Sequence, residues 1–542
     1  MSSSFFASER LLFDPVSPDN GAIPLIFAFP NEYTVGITSL GYQVVWATLA
    51  MRSDVDVCRL FTDVSESLPS SPELLGFSLS WELDYVNVFK LLEELNISLR
   101  SCGRTDDDPL VFGGGPVLTA NPEPFADFFD VILLGDGEDL LGNFIDAFKE
   151  VRDANRQVKL RRLAQVPGVY IPSLYEVNYS VHGPVVSVVP VDADVPAFVE
   201  KQTYRGNVLS ASSVVTEKAA WENIFMVEVV RSCPEMCRFC LASYLTLPFR
   251  TASMESSLIP AIEKGLKVTN RLGLLGASVT QHPEFHGLLE YLSLPQFDDV
   301  RLSISSVRTN TVTEQLANTL AKRGTKSLTI AVESGSERVR KIINKKLKNA
   351  EILQAAVNAK AGGLSGLKLY GMVGLPGEDG DDLTATVEML RDLKKAAPGL
   401  RLTFGCSTFV PKSHTPFQWF GVTKDAEKRL KKLDKDLGKL GVDFRPESYN
   451  WSVIQALISR GDRRLSFLLE LVRGYGDTLG SYRRAFKELK GKLPGLDFYV
   501  FENWDVENFL PWGHLHGPLP VGVLRKHLES AMEFFESPVN AD

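Results

Sequence analysis

Six short apolar runs, at residues 224–230, 272–277, 300–306, 327–332, 367–373 and 402–409, are each followed or separated by a helical stretch. They read as near-continuous apolar segments rather than clean alternations, which is how strands buried on both faces look, so a parallel sheet covered by helices is the expected architecture. With right-handed crossovers, six such units make either an open doubly wound sheet or a partial barrel, and periodicity does not choose between them. A shorter series precedes them: runs at 23–29, 74–80, 110–112 and 131–134 alternate with helical patterns near 42–50, 86–95 and 139–148. Gly113, Gly114, Gly115, Gly135 and Gly137 follow strand ends in this first series, where doubly wound sheets place their ligand crevice.

The expected α/β organisation is therefore a doubly wound, Rossmann-like domain over residues 1–165, a connector with a hairpin over 166–217, the six-unit region over 218–423, and a mostly α domain over 424–542. In the last, Leu430, Leu433, Leu437 and Leu440 stand at helical spacing, and the lysines between 431 and 439 read as a solvated helix face. A chain of 542 residues needs several domains at roughly 100 to 200 residues each. With 58 Lys plus Arg against 67 Asp plus Glu, the formal charge of -9 gives no global basic field for nucleic acid or anionic lipid. No run of eighteen or more uncharged apolar residues marks a membrane span, and the first ten residues lack a secretion signal's basic start and apolar stretch, so a cytoplasmic location is expected.

Three of the six cysteines crowd together as Cys233, Cys237 and Cys240, directly after the first run of the six-unit region, while Cys58, Cys102 and Cys406 stand alone. Three thiolates on one short loop repel as anions and oxidise readily as thiols, so a metal centre sharing their charge is the economical reading. Structural zinc wants a fourth ligand, and neither a second Cys-x-x-Cys pair nor an adjacent His pair lies nearby. His282 and His286 are separated by Pro283 and read as loop and helix-start residues. A cubane iron–sulfur cluster accepts thiolates at such spacings, and three ligands leave one iron open to a substrate or cofactor. No Gly-x-x-x-x-Gly-Lys-Ser/Thr loop and no Gly-x-Ser-x-Gly elbow occurs, so nucleotide hydrolysis and esterase chemistry have no support at the residue level.

The stretch Cys233-Pro-Glu-Met-Cys237-Arg-Phe239-Cys240 resembles the Cys-x-x-x-Cys-x-aromatic-Cys cluster loop of the radical S-adenosylmethionine (SAM) superfamily. Later segments match too: residues 273–284 after the second run, 305–308 at the end of the third, 333–338 after the fourth, 368–378 with Gly374-Leu-Pro376-Gly377-Glu378 closing the fifth, and 409–412 closing the sixth. Together they resemble the branch of that superfamily with an N-terminal cobalamin-binding-like domain.

The resemblance implies a partial (β/α)6 barrel and a 4Fe-4S cluster ligated by Cys233, Cys237 and Cys240. The open iron of such a cluster binds the amino and carboxylate groups of S-adenosylmethionine, and an electron splits it into methionine and a deoxyadenosyl radical that takes hydrogen from substrate. An electron donor such as a flavodoxin or ferredoxin is implied as partner, and methyl transfer or another modification of an unactivated carbon as outcome. Carried over residue by residue, Phe239 packs near the adenine, Arg308 meets the cofactor carboxylate, Glu333 accepts from the ribose hydroxyls, and Gly374 lets backbone approach the adenine. The bland alternatives are a core Phe239, a surface ion pair for Arg308, a Glu333 paired with Arg338 or capping the helix near Ser336, and a plain turn at Gly374.

Two departures matter. The Gly-Gly-Glu that many members place after strand two is replaced by Gly276-Ala-Ser278-Val-Thr280, which leaves Ser278 or Thr280 as candidates for the cofactor amino group. The Asp-x-His-x-x-Gly loop of cobalamin binders is absent, and His182 is the sole histidine before residue 200, so a related fold that binds something else, or only supports substrate, is favoured over cobalamin. A methylthiotransferase would need three more N-terminal cysteines, and only Cys58 and Cys102 exist there. The runner-up from another class is a non-catalytic iron–sulfur or zinc protein with a binding or assembly role. In the tail, Arg460-Gly-Asp462-Arg463-Arg464 reads as an ion-paired helix end, with a grip on an anionic substrate group as the alternative.

Overall fold

A computed structural model describes residues 3–181 and 183–537 of the chain; His182 lies outside the described residues. Six strands make the first sheet: β1 (Ile23–Ala28), β2 (Val55–Leu60), β3 (Leu74–Ser78), β4 (Leu110–Gly114), β5 (Val131–Leu133) and β6 (Val169–Tyr170). Their order is β2-β1-β3-β4-β5-β6, parallel except for β6. The order reverses between β1 and β3, and the carboxyl ends of strands at such a switch point open a crevice. β2 has no counterpart among the runs read from the sequence, because Asp56 and Arg59 interrupt its apolar pattern. Arg59 is nonetheless buried: Glu9 lies 2.8 Å and Glu66 2.7 Å from its guanidinium, and the Trp46 ring lies 3.9 Å below it.

After the first sheet, β7 (Tyr175–Tyr179) pairs antiparallel with β8 (Val185–Pro190) in a hairpin. The six-unit region follows as β9 (Ile224–Arg231), β10 (Arg250–Thr251), β11 (Arg271–Gly276), β12 (Arg301–Ile304), β13 (Ser327–Glu333), β14 (Gly366–Val373), β15 (Arg401–Thr408) and β16 (Asp443–Pro446). These build two four-stranded sheets, β10-β9-β11-β12 and β13-β14-β15-β16, linked by a parallel bridge between Val307 and Ile330. All pairings are parallel except β9 with the short β10. The array stays open between β10 and β16, so of the two architectures the sequence allowed, the chain takes the partial barrel.

The leucines at helical spacing belong to the helix Ala426–Leu440, but Leu430, Leu433 and Leu437 pack into the barrel core with Phe404 and Leu402. Gly441 ends that helix in the left-handed region, φ 63°, the usual glycine C-cap, and β16 then extends the sheet. The barrel core thus continues past residue 423. The helices Tyr449–Arg460, Leu465–Gly474, Leu479–Glu488 and Val521–Met532 instead share a core with the first sheet. No helix among the described residues is long and apolar enough to cross a membrane.

Candidate active site

The three cysteines leave the carboxyl end of β9 on a loop that the rest of the barrel pins. Ser232 and Met236 adopt φ of 70° and 55°, an uncommon conformation for residues other than glycine that turns the chain tightly around the thiols. Asn344 donates to the carbonyls of Glu235 and Met236 at 3.2 and 2.9 Å, and Arg238 donates to those of Lys341 and Ile342 at 2.8 and 2.7 Å. The segment following β13 therefore holds the loop in place.

Cys237 is buried, Cys233 and Cys240 are partly exposed, and all three are free thiols. Burial pushes Cys237 up to about 12 and raises Cys240 as well, so a thiolate in this place needs a cation to share its charge. Cys237 and Cys240 each feel the charge of the neighbouring thiols. Among the described residues no three His, Cys, Asp or Glu converge closely enough to hold one metal ion.

Around the loop lie the other expected residues. Ser278, buried after β11, donates to Gln281 Oε1 at 2.6 Å; Gln281 Nε2 donates to Glu235 Oε1 at 2.5 Å, and Cys233 Sγ lies 4.0 Å from Gln281 Oε1. Arg308 places Nη1 2.7 Å from Glu235 Oε2, and its other nitrogens donate to Asn310 Oδ1 and the Lys346 carbonyl, both at 2.9 Å. Thr280 Oγ1 accepts from the Arg308 amide at 3.1 Å. A continuous polar chain of Ser278, Gln281, Glu235 and Arg308 thus borders Cys233. Gln281 and Glu235 were not singled out from the sequence; Glu235 sits inside the cysteine motif itself.

Glu333 ends β13 at a bulge, with φ 66°, and its Oε1 accepts from Lys345 Nζ at 3.0 Å. Of the alternatives weighed for it, the Arg338 pairing is excluded: Arg338 pairs with Asp379 at 3.0 Å and with Asp382, while Ser336 caps the following helix. Lys345 lies within electrostatic reach of Cys237 and Cys240; burial opposes its charge, but Glu333 and the thiols favour it. Phe239 is half-buried against the first sheet's core. Gly374 has φ 76°, donates its N–H to Glu378 Oε2 at 2.6 Å, and turns its α-carbon toward Thr423 and Ala426, so turn geometry accounts for this glycine. His282 is spent on local contacts, with Nε2 2.7 Å from the Ala252 carbonyl and Nδ1 accepting from the Glu284 amide at 3.1 Å.

The first sheet meets the barrel at this end. Arg231, two residues before Cys233, pairs with Glu138 and Glu228, both at 2.7 Å, and Arg250 reaches Asp136 at 2.6 Å. Between the two lies a cavity of about 250 Å³ at the switch point, walled by Phe27, Phe77, Phe112, Gly115, Ser210 and Arg231. On the far side, Lys412 after β15 contacts Glu82 of the first domain, which Gln455 and Ser459 also bond at 3.1 and 3.0 Å.

Residues 227–390 match the family described as the radical SAM superfamily, and residues 42–172 match the one described as radical SAM proteins, N-terminal. The chain belongs to the radical SAM superfamily. The uncharacterised protein MJ0966 of Methanocaldococcus jannaschii is 28% identical over 448 residues, covering 82% of this chain and 89% of that protein. The structure of the radical SAM methyltransferase TsrM from Kitasatospora setae, with cobalamin and a [4Fe-4S] cluster bound, is 14% identical, covers 87% of this chain and 99% of its own, and superposes with a TM-score of 0.54. The cobalamin-dependent radical SAM enzyme OxsB, with aqua-cobalamin and S-adenosylmethionine bound, is 13% identical over 95% of this chain and 80% of its own, at a TM-score of 0.47.

This radical SAM protein therefore combines the superfamily's core with the N-terminal domain of the branch anticipated from its sequence, and it is an enzyme. A [4Fe-4S] cluster and S-adenosylmethionine are the cofactors that the radical SAM fold implies. The three thiols on one pinned loop, beside the partly buried Lys345 and bordered by Arg308, fit that requirement.

Proposed function

We propose that Cys233, Cys237 and Cys240 hold a [4Fe-4S] cluster at which S-adenosylmethionine is cleaved reductively and hydrogen is taken from an organic substrate, for methyl transfer or another change at an unactivated carbon. The observation that carries this reading is the set of three thiols on one pinned loop at the carboxyl end of β9. When bound, the cluster and S-adenosylmethionine supply the radical chemistry; the protein orients them and shields the reaction from water and stray hydrogen donors.

We assign the cofactor carboxylate to Arg308, whose guanidinium fork already engages one carboxylate in Glu235. Glu333 keeps Oε2 for the ribose hydroxyls while Lys345 engages Oε1. Ser278, through Gln281, borders the amino-group side near Cys233, and Phe239 packs toward the adenine. No adenine contact is assigned to Gly374, whose N–H is committed to Glu378. A one-electron donor such as a flavodoxin or ferredoxin completes the requirement.

The test is anaerobic iron–sulfur reconstitution with electron paramagnetic resonance, with and without S-adenosylmethionine, alongside product analysis. A cubane signal that shifts with the cofactor, is lost in the Cys233, Cys237, Cys240 to Ala variant, and accompanies deoxyadenosine formation supports the reading. A cluster indifferent to the cofactor with no deoxyadenosine formed overturns it.

The cavity at the switch point favours a second reading, in which this domain holds cobalamin for methyl transfer; the TsrM structure has cobalamin bound. At about 250 Å³ the cavity suits one bicyclic ring, such as the base at the end of a cobalamin nucleotide tail. No histidine lines it, so a cobalt seated here would receive no imidazole from this wall. Cobalamin added to the protein and lost on gel filtration, with no retained corrin spectrum, would remove this reading.

A further inference from the structure

The C-terminal helix Val521–Met532 meets the cysteine loop through one histidine. The loop runs through Cys240 into the short helix Leu241–Tyr244, whose last residue, 1% exposed, turns its hydroxyl back onto the loop. Tyr244 Oη donates to the Met236 carbonyl at 3.3 Å and lies 2.8 Å from His527 Nδ1. A phenolic hydroxyl carries one hydrogen, so with that hydrogen on Met236 the imidazole must carry its own on Nδ1 and donate to Oη. Met236 has φ 55°, and its carbonyl shares a rigid peptide plane with the N–H of Cys237. Tyr244 from one element and Asn344, at 2.9 Å, from another therefore fix that plane and with it the backbone that carries the buried thiol.

The helix that presents His527 is itself anchored. Leu524, Leu528 and Ala531 stand at helical spacing and are buried in the core that also takes Tyr244, Ile342 and Ile343, with Met236 and Phe239 of the loop packed against it. Past the helix, the Phe535 carbonyl accepts from Arg338 Nη1 at 2.5 Å, and a Cβ at Gly377 would come within 2.9 Å of the Phe535 ring. Glu533 lies within electrostatic reach of Arg238, the loop residue whose guanidinium donates to the Lys341 and Ile342 carbonyls. The tail thus grips both the cysteine loop and the segment after β13 that pins it.

From this we infer that His527 is a positioning residue for the cysteine site: through Tyr244 it holds the peptide plane between Met236 and Cys237, and the C-terminal helix closes the loop against local opening. His527 acts only through Tyr244 and touches none of the three thiols' own hydrogen bonds. Calling the loop a cluster site rests on the radical reading above; the hold on Cys237 does not. A loop whose backbone is braced from two elements opens less often, and a thiol that is exposed only on opening reacts at a rate set by that opening.

The test follows alkylation of the full chain by N-ethylmaleimide before any cluster is reconstituted, resolved site by site by peptide mass spectrometry, so its readout stands even if no cluster forms. His527→Leu fills the space with no donor, whereas His527→Asn keeps an N–H donor near the place of Nδ1. Cys237, 6% exposed, is expected to react about tenfold faster in His527→Leu, the scale of one lost hydrogen bond, and at the wild-type rate in His527→Asn. Buried Cys58 on β2 and Cys406 on β15 report opening of the first sheet and the barrel, and are expected to keep their wild-type rates. Tyr244→Phe, which keeps the buried ring and loses only the hydroxyl, gives the same test should His527→Leu unfold. In reconstituted protein, a ferrous chelator is expected to draw iron faster from His527→Leu than from wild type or His527→Asn; a wild-type chain that takes up no cluster removes the radical reading and leaves the alkylation result in place. Cys237 rates equal in wild type, His527→Leu and Tyr244→Phe, no rescue by His527→Asn, or a parallel rise at Cys58 and Cys406 in both His527→Leu and Tyr244→Phe overturns the inference.

Discussion

Arg308 and Glu235 form a 2.7 Å ion pair that ties the end of β12 to the loop carrying the three cysteines. Glu235 also accepts from Gln281, so its carboxylate sits where three elements converge on the cluster side of the barrel. A carboxylate already paired with the guanidinium competes with any incoming carboxylate for the same fork.

Arg308→Ala is therefore expected to weaken S-adenosylmethionine binding about tenfold to a hundredfold, the range of a lost charged hydrogen bond. Glu235→Gln frees the fork and is expected to tighten binding severalfold. Isothermal titration on anaerobically reconstituted protein reads both. Weaker binding in Glu235→Gln would make this carboxylate a brace for the loop rather than a competitor for Arg308.

Lys345 and Glu333 make a second pair at 3.0 Å, with side chains 16% and 11% exposed. Removing one partner strands the other, at a cost of about 3 to 5 kcal/mol for a buried pair, discounted here for partial exposure. Lys345→Met should lower the urea midpoint of the protein, and adding Glu333→Gln should recover most of the loss. A double variant no more stable than Lys345→Met would mean that the lysine acts through its other neighbours.

Six barrel strands and the cysteine motif were legible because both are local: apolar runs, and ligands within eight consecutive residues. What the sequence hid depends on distant partners. β2 was invisible because Arg59 reads as exposed until Glu9 and Glu66, from two other segments, surround it. The helix Ala426–Leu440 showed its apolar face but not which core would receive it. Glu235 looked like a spacer between Cys233 and Cys237 until β12 delivered Arg308 to it. The Arg463 reading was resolved the same way, in favour of an internal ion pair with a residue 340 positions earlier.

That pair gives a further expectation. Arg463 donates to Glu123, 1% exposed, at 3.1 Å, to Tyr170 Oη at 2.5 Å, and to the carbonyls of Pro172 and Tyr175 at 3.1 and 2.9 Å. It locks the tail onto the first sheet and its connector, with no side left for substrate. Arg463→Met should destabilise the protein by more than 3 kcal/mol, since Glu123 and two carbonyls lose their donor. Chemical unfolding measures it, and limited proteolysis should find new cuts near residue 180. An unchanged unfolding curve with weakened substrate turnover would return Arg463 to the role of an anion grip.

His414 sets a pH limit on the same region. Burial lowers it from 6.5 to about 4, outweighing a backbone hydrogen bond at Ala120 that favours the proton, and its Nε2 has no partner. A histidine depressed on folding contributes stability fully present above pH 6.5, lost as pH falls through 6.5 toward 4, because the unfolded chain takes up the proton first. The shift corresponds to on the order of 3 kcal/mol over that window. His514, also lowered to about 4 by burial, adds to the loss in the same direction. Urea unfolding at pH 5 and pH 7 should therefore show a large fall in stability for the wild-type protein and a smaller one for His414→Gln, which has no proton to gain. An identical pH dependence in the two proteins would place the acid sensitivity in His514 and the carboxylates instead.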